Sequence, residues 1–252
     1  MKTGFYNIRI DLWGQDEALS CIRNVLLQDA HKTVFFLNAH CFNLAQKNPA
    51  YFNALQSSDY LLNDGIGISL GGWLKGIKFP DNLNGTDFIP LIINEGYIAS
   101  KTFYFLGTKD YVLEKAKAKM EEKFPGIKIV GMHNGFFPAT DSKDIVHEIN
   151  RLKADIVIVG MGVPRQEIWI HENKNELPGV KLFIAGGAVL DFLSGTISRA
   201  PLWMRQLRIE WIYRLCLEPK RMWRRYIIGN VLFFYNIHVS RKQKNKNNIS
   251  SR

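Results

Sequence analysis

Tyr60-Leu61-Leu62-Asn63-Asp64-Gly65-Ile66-Gly67 is the stretch on which the reading of this chain turns. A short apolar run stops at Asn-Asp-Gly-X-Gly, the pattern of a buried strand emptying into a glycine-bent loop that exposes a carboxylate. Asp-Gly is also ordinary turn chemistry. In open α/β sheets, however, ligands lie beyond the carboxyl ends of the strands. A carboxylate there is placed to act as a base on a bound hydroxyl.

Outward from this stretch the chain keeps one rhythm. Apolar runs at 34–37, 60–62, 103–106, 127–130, 156–159 and 182–185 alternate with helix-spaced stretches at 42–55, 88–96, 111–124, 142–153 and 166–175. Runs that are continuous rather than alternating fit strands covered on both faces. Strand–helix alternation predicts an α/β fold with a mainly parallel, Rossmann-like sheet flanked by helices. Upstream, 5–12 alternates loosely and predicts an edge strand or hairpin arm, with a helix over 16–28.

The 252 residues are 46% hydrophobic and 22% charged, which allows a sizeable core and excludes global disorder. Cys21, Cys41 and Cys216 lack metal spacing and cannot all pair, so a reducing, cytoplasmic setting is the simplest expectation. Cys41 beside His40 would suit a thiol nucleophile, but a small buried residue on a helix is the simpler account. The start shows no secretory signal pattern. The longest near-apolar run, 227–239, is interrupted by Asn230, Asn236 and His238. It is shorter than the roughly 20 residues of a spanning helix.

Charge is unevenly placed. From Arg199 onward there are 13 Lys/Arg against Glu210 and Glu218, so the formal +10 of the chain belongs to its last fifth. After Pro201 the strand–helix rhythm stops, and Trp203, Leu207, Trp211, Leu215, Trp223 and Phe233 interleave with arginines. Two or three short amphipathic helices, broken near Pro219, are expected. Apolar aromatics opposite basic residues are the composition of a helix lying in a membrane interface, and an anionic membrane surface is the expected partner. The same stripe could instead pack on the core or between subunits, which leaves a homo-oligomer open. Three segments follow: a catalytic α/β domain at 1–200, a basic amphipathic appendage at 201–239, and a polybasic, disordered tail at 240–252.

Several turns could carry a ligand. Gly160-Met161-Gly162-Val163-Pro164-Arg165-Gln166-Glu167 follows the most apolar strand and opens a helix, whose free amides suit an anion. Gln166 and Glu167 there could grip sugar or ribose hydroxyls. Gly107 and Gly186 mark two further strand-end turns, and Asn38 stands at another, where an amide can read a base or a hydroxyl. His40 reads as a packing residue. Gly85-Thr86-Asp87 precedes a helix that Thr86 or Asp87 would cap, and Asp191 has a similar dual reading. No Asp-X-Asp pair, P-loop or metal-spaced His/Cys set is present. No metal or cofactor is therefore expected, and a diphosphate would be met by arginines and backbone amides.

Taken together, Asn38, Asn63-Asp64-Gly65-X-Gly67, Gly85-Thr86-Asp87, Gly107, Gly160-X-Gly162-X-Pro164-X-Gln166-Glu167, Gly186-Gly187, Arg199-Ala200-Pro201 and Glu210-Trp211-X-X-Arg214-X-X-X-Glu218-Pro219-X-Arg221 resemble the WecG/TagA/CpsF glycosyltransferases. The likeness runs from about Asn7 to Tyr226. It implies transfer of a sugar, of N-acetylmannosamine, glucose or galactose type, from a UDP-sugar to a lipid-linked, undecaprenyl-diphosphate saccharide. The setting it implies is the cytoplasmic face of a bacterial membrane, in polysaccharide or teichoic acid synthesis. It implies a metal-independent, inverting reaction with Asp64 as the catalytic base and an arginine-rich appendage that docks on the membrane and helps close the site. Leu37 departs from members that carry threonine before the strand-end asparagine.

On this basis the diphosphate lies against the 160–164 amides and one or more of Arg199, Arg214, Arg221 and Arg224, while Asn38, Gln166 and Glu167 orient the donor. Three rivals remain at this stage. A nicotinamide-dependent oxidoreductase fits the sheet but lacks the three-glycine fingerprint. A nucleic-acid-binding module fits the charge, yet the basic residues alternate with large aliphatics, so no nucleic acid is expected. A non-catalytic protein that binds lipid-linked sugar is the third.

Overall fold

A computed structural model describes residues 2–28, 30–207 and 209–250, and within them the side chains outside 206, 221 and 240–250. Six strands form one parallel sheet in the order β4-β3-β8-β7-β5-β6. They are β3 (Lys32–Leu37), β4 (Tyr60–Asn63), β5 (Thr102–Gly107), β6 (Lys128–His133), β7 (Ile156–Gly160) and β8 (Leu182–Ala185). Every residue of β7 and β8 is buried, which is why their sequences read as unbroken apolar runs. Alternate residues serve opposite faces. Phe35, Leu37, Tyr104, Leu106, Val157 and Phe183 join one core, and Val34, Phe36, Phe103, Phe105, Ile158 and Ile184 the other. The expected α/β architecture is the one found.

At the amino end, β1 (Lys2–Phe5) and β2 (Ile8–Asp11) make the expected hairpin, antiparallel and separate from the main sheet. Helix α1 (Gln15–Leu27) and helix α5 (Gly85–Ile98) pack together on one face. Two local expectations fail for identifiable reasons. The helix foreseen over 42–55 is two helices, α2 (Ala39–Ala45) and α3 (Pro49–Gln56). Pro49 cannot continue a preceding helix, and the Asn48 side chain accepts from the Tyr51 amide to start a new one. The glycine-bent loop foreseen after Asp64 is one residue long. Gly65 takes φ +86°, and the chain enters α4 (Ile66–Trp73) at once.

Beyond α6 (Asp110–Lys123), α7 (Ser142–Leu152), α8 (Arg165–Asn173) and α9 (Val189–Ser194), the basic end folds as α10 (Leu202–Gln206), α11 (Glu210–Leu217) and α12 (Pro219–Trp223). A wider, π-type turn at Arg224–Ile228 then leads into α13 (Gly229–Ser250). The helix runs to Ser250, into the stretch expected to be a disordered tail; 251–252 lie outside the described residues. No Gly or Pro interrupts 230–250, and an established helix adds residues cheaply.

The appendage is fastened to the body by α13. Phe233 is 0% exposed and meets Phe42 of α2 edge-on at 5.4 Å. Gly71 of α4 makes the room, since a Cβ there would come 2.9 Å from the Phe5 ring and 3.0 Å from that of Phe233. Asn43 donates to the Gly229 carbonyl at 2.7 Å and accepts from Asn236 at 2.9 Å. Part of the apolar stripe therefore packs on the core, while Trp203, Leu207, Trp223, Ile227 and Val231 remain exposed. No helix among the described residues is long and apolar enough to cross a membrane.

Candidate active site

The carboxyl ends of β3 and β4 open into a cleft of about 180 Å³, walled on one side by the body and on the other by the appendage. Asp64 is the first residue past β4. Its amide donates to the Leu37 carbonyl at 2.8 Å, one more rung of the β3–β4 ladder, and Gly65 then donates to Asn82 Oδ1 at 2.7 Å. The carboxylate is thereby fixed at the strand edge, half-buried and lining the cleft.

Asn38 supports it from the end of β3. The Asn38 Oδ1 accepts from the Cys41 amide at 3.0 Å, capping α2, and its Nδ2 donates to Asp64 Oδ2 at 3.1 Å. Both ends of the amide are thus engaged, and Asn38 positions the carboxylate as well as lining the cleft. Burial pushes the Asp64 carboxyl up, and the Asn38 hydrogen bond and the charges of Arg214 and Arg225 only partly offset this. A carboxylate so raised is a better proton acceptor than an exposed one.

The opposite wall brings Arg205, Arg214 and Arg225 to the cleft, with Trp211, Tyr226 and Asn230. These cations differ in their commitments. Arg214 donates to Glu210 at 3.0 Å and to Thr86 Oγ1 at 3.4 Å, its guanidinium 4.8 Å from the Phe192 ring centroid. Arg199 bridges Asp87 at 2.8 Å and Glu210 at 3.3 Å, tying body to appendage. Burial opposes the Asp87 charge, but hydrogen bonds from Arg199 and Asn84 outweigh it and hold the carboxyl below its usual range. Arg205 lies 3.7 Å from Asp87. Arg225 has no carboxylate within ion-pair distance among the described residues, and its buried Nε lacks a hydrogen-bond partner there. Burial, with Arg225 nearby, also pushes His40 down to about 4, so this cleft residue is neutral.

The other expected residues fall elsewhere. Gly107, Gly160, Gly162, Gly186, Gln166, Glu167 and Asp191 gather at the ends of β5, β7 and β8. Gly107, at φ +146°, lies so close to Gly160 that a Cβ would come 2.4 Å from the Gly160 carbonyl. Gln166 was expected to grip a hydroxyl, but it is 2% exposed and staples two turns, accepting from the Gly162 amide at 3.1 Å and the Gly187 amide at 2.9 Å. The Gly162 amide, expected to meet a phosphate, is therefore taken. Glu167 is 1% exposed and accepts from Gln166 Nε2 at 2.8 Å, while its Oε2 has no hydrogen-bond partner among the described residues. Burial pushes this carboxyl up to about 7. Asp191 accepts from Thr108 Oγ1 at 2.9 Å, locking the β5 turn.

Gly85 and Arg224 also depart from expectation, while Cys41 keeps its expected packing role. Gly85 packs against the Phe36 ring, and the helix behind it is capped by Asn84, not by Thr86 or Asp87. Arg224 is exposed over the Trp223 ring, and its neighbour Arg225 lines the cleft instead. The Arg221 side chain lies outside the described residues. Burial pushes the Cys41 thiol up to about 11, which makes it a packing residue and not a nucleophile. Sequence reasoning missed Arg205 and Arg225 as cleft residues. Met222 is buried on α12 and Phe233 and Ile237 on α13, but the π-type turn between them shifts the helical phase, so periodicity gave no signal for Arg225.

The Glycosyl transferase WecG/TagA/CpsF family model matches residues 3–247. The chain belongs to this family. It is thus a glycosyltransferase, and the expectation of an enzyme holds. An N-acetylglucosaminyldiphosphoundecaprenol N-acetyl-beta-D-mannosaminyltransferase of Bacillus subtilis (strain 168) is 32% identical over 202 residues, covering 80% of this chain and 76% of the relative. The protein of the same description from Staphylococcus aureus (strain NCTC 8325 / PS 47) is 25% identical over 247 residues, 94% of this chain and 95% of the relative. The glycosyltransferase shares its nearly full length with the latter, appendage included.

Proposed function

We propose that this glycosyltransferase moves a sugar of the N-acetylmannosamine type from a UDP-sugar to an N-acetylglucosaminyl-diphosphate carried on a prenyl lipid. The observation that carries the mechanism is the pairing of unlike groups across one cleft: a half-buried Asp64 with a raised pKa, and an Arg225 without a carboxylate partner among the described residues. The acceptor hydroxyl oxygen attacks the anomeric carbon while its proton passes to an Asp64 carboxylate oxygen. The bond from that carbon to the UDP oxygen breaks on the opposite face, and its electron pair leaves with UDP. A single displacement inverts the anomeric centre. Arg225, with Arg205 and Arg214 beside it, meets the charge as it develops on the leaving diphosphate and so acts chiefly on the transition state. No divalent cation takes part in this scheme.

The acceptor class is drawn from the names of the relatives. Membrane docking is part of the same reading: exposed Trp203, Leu207, Trp223 and Ile227 beside arginines suit an interfacial helix layer at the cytoplasmic face. The test is turnover of a panel of UDP-sugars on a prenyl-diphosphate-linked N-acetylglucosamine, with and without EDTA, and product anomericity read by NMR. Inverted product that survives the chelator is expected. A retained anomer, or activity that only added metal restores, rejects the scheme.

A further inference from the structure

Among the described residues, eight large apolar side chains of the segment 2–200 are exposed, and four of them stand within nine positions: Ile66, Leu70, Trp73 and Leu74. The other four, Leu27, Ile98, Tyr111 and Phe136, are scattered singly, as surfaces ordinarily allow. Positions 66, 70, 73 and 74 share one side of α4. Its inner side is already filled, with Ile68 buried and Gly71 and Gly72 against the rings of Phe5, Phe233 and Phe79. The outer stripe therefore adds nothing to the packing of the helix, and Trp73 is 75% exposed.

The stripe starts inside the cleft. Ile66 lines it two residues after Asp64, and the helix carries the apolar face outward from there over roughly 12 Å. From Ile66 to Pro80 there is no acidic residue to interrupt it. The opposite rim is ionic, built from Arg205, Asp87 and Glu210. The face of α4 offers a hydrocarbon attached to a molecule in this cleft an apolar way out.

We propose that the outer face of α4 carries the isoprenoid chain of the lipid-linked acceptor away from the cleft; this rests on the acceptor class proposed above. The sugar hydroxyl must reach Asp64, and Ile66 lines the cleft two residues beyond it, so the chain departs along Ile66 and Leu70 to Trp73. A flexible branched hydrocarbon gains from a continuous apolar strip without needing a fitted pocket.

The experiment measures kcat/KM in detergent solution on acceptors with one saccharide-diphosphate head and tails of one to four isoprene units. Wild type is compared with Leu70→Gln/Trp73→Gln, whose exposed positions leave the fold undisturbed. Wild-type kcat/KM should rise about tenfold along the series, because each added methylene finds apolar surface. The double variant should match wild type on the shortest tail and lose most of that rise, and Leu70→Met/Trp73→Phe should keep it. Equal rises in wild type and the Gln variant overturn the proposal. So does a loss confined to vesicle-embedded acceptor, which makes the bilayer the occupant, or a change in sedimentation mass, which makes it a second copy. A wild-type enzyme that uses neither short nor long tails fails at the acceptor class itself, a result distinct from equal slopes, and removes this proposal with it.

Discussion

Asp64 and Glu167 stand at the carboxyl edge of the same sheet, one after β4 and the other in the first turn of α8, and burial raises both. Their surroundings then part. Asp64 lines a cleft, receives the Asn38 amide and feels Arg214 and Arg225. Glu167 is sealed under the glycine turns, with only Gln166 and its own backbone amide to offset desolvation, and reaches about 7. The comparison teaches that a perturbed carboxyl is not a catalytic one. On the proposed mechanism, access and a nearby cation let Asp64 take up a proton, while Glu167 has a settled place beneath a rigid edge.

The largest effect expected from that contrast is at Asp64. Asp64→Asn keeps the shape and the Asn38 contact but removes the base, so kcat should fall by about 10²–10⁴. Its melting temperature should hold, since no buried partner is lost. Steady-state kinetics beside a thermal melt decides it, and near-native turnover in a folded variant would take the role from this residue.

Glu167 is expected to show itself in stability instead. Its folded pKa of about 7 lies above the ordinary carboxyl value of 4.5, so between these limits the folded state holds a proton that the unfolded chain gives up. The contribution of Glu167 to stability is therefore greatest at low pH, declines as pH rises through that window and levels off above it. The whole decline amounts to roughly 3 kcal/mol at 1.36 kcal/mol per pKa unit. Glu167→Gln should flatten it, leaving the variant more stable than wild type at pH 8 and little changed at pH 4.5. Denaturant titrations across pH read this directly. Parallel curves for the two proteins would mean that Glu167 is ionised in the fold.

How much of this was legible beforehand follows from what each signal depends on. The strands could be read because β5, β7 and β8 are buried on both faces and must be apolar throughout. Asp64 could be read because its glycine fixes the backbone at φ +86°, a local fact. Gln166 could not, because whether its amide faces a ligand or the Gly162 and Gly187 amides depends on how two distant turns meet. Helix α4 was hidden by its glycines, which look like a loop until Phe5 and Phe233 are seen packed on Gly71. Arg224 and Arg225 differ by one position, about 100° around a helix, and the π-type turn at Arg224–Ile228 shifts the phase just there.

That last pair gives the smallest effect and the sharpest control. Arg225→Gln should lower kcat/KM by about tenfold, the scale of one charge-assisted contact to the leaving diphosphate. It should also move the acid limb of the pH profile. The Arg225 charge favours the ionised form of Asp64, so its loss raises that carboxyl further. Less of the base is then ionised at a given acidic pH, and the limb shifts to higher pH. Arg224→Gln removes the same charge from an exposed side chain over Trp223, and both kcat/KM and the limb should stay in place. Equal losses in the two variants would reduce the arginines to a diffuse positive field acting through net charge. A loss and a shifted limb at Arg225 alone would mean that one cation both meets the leaving group and tunes the base, which is the property Glu167 lacks.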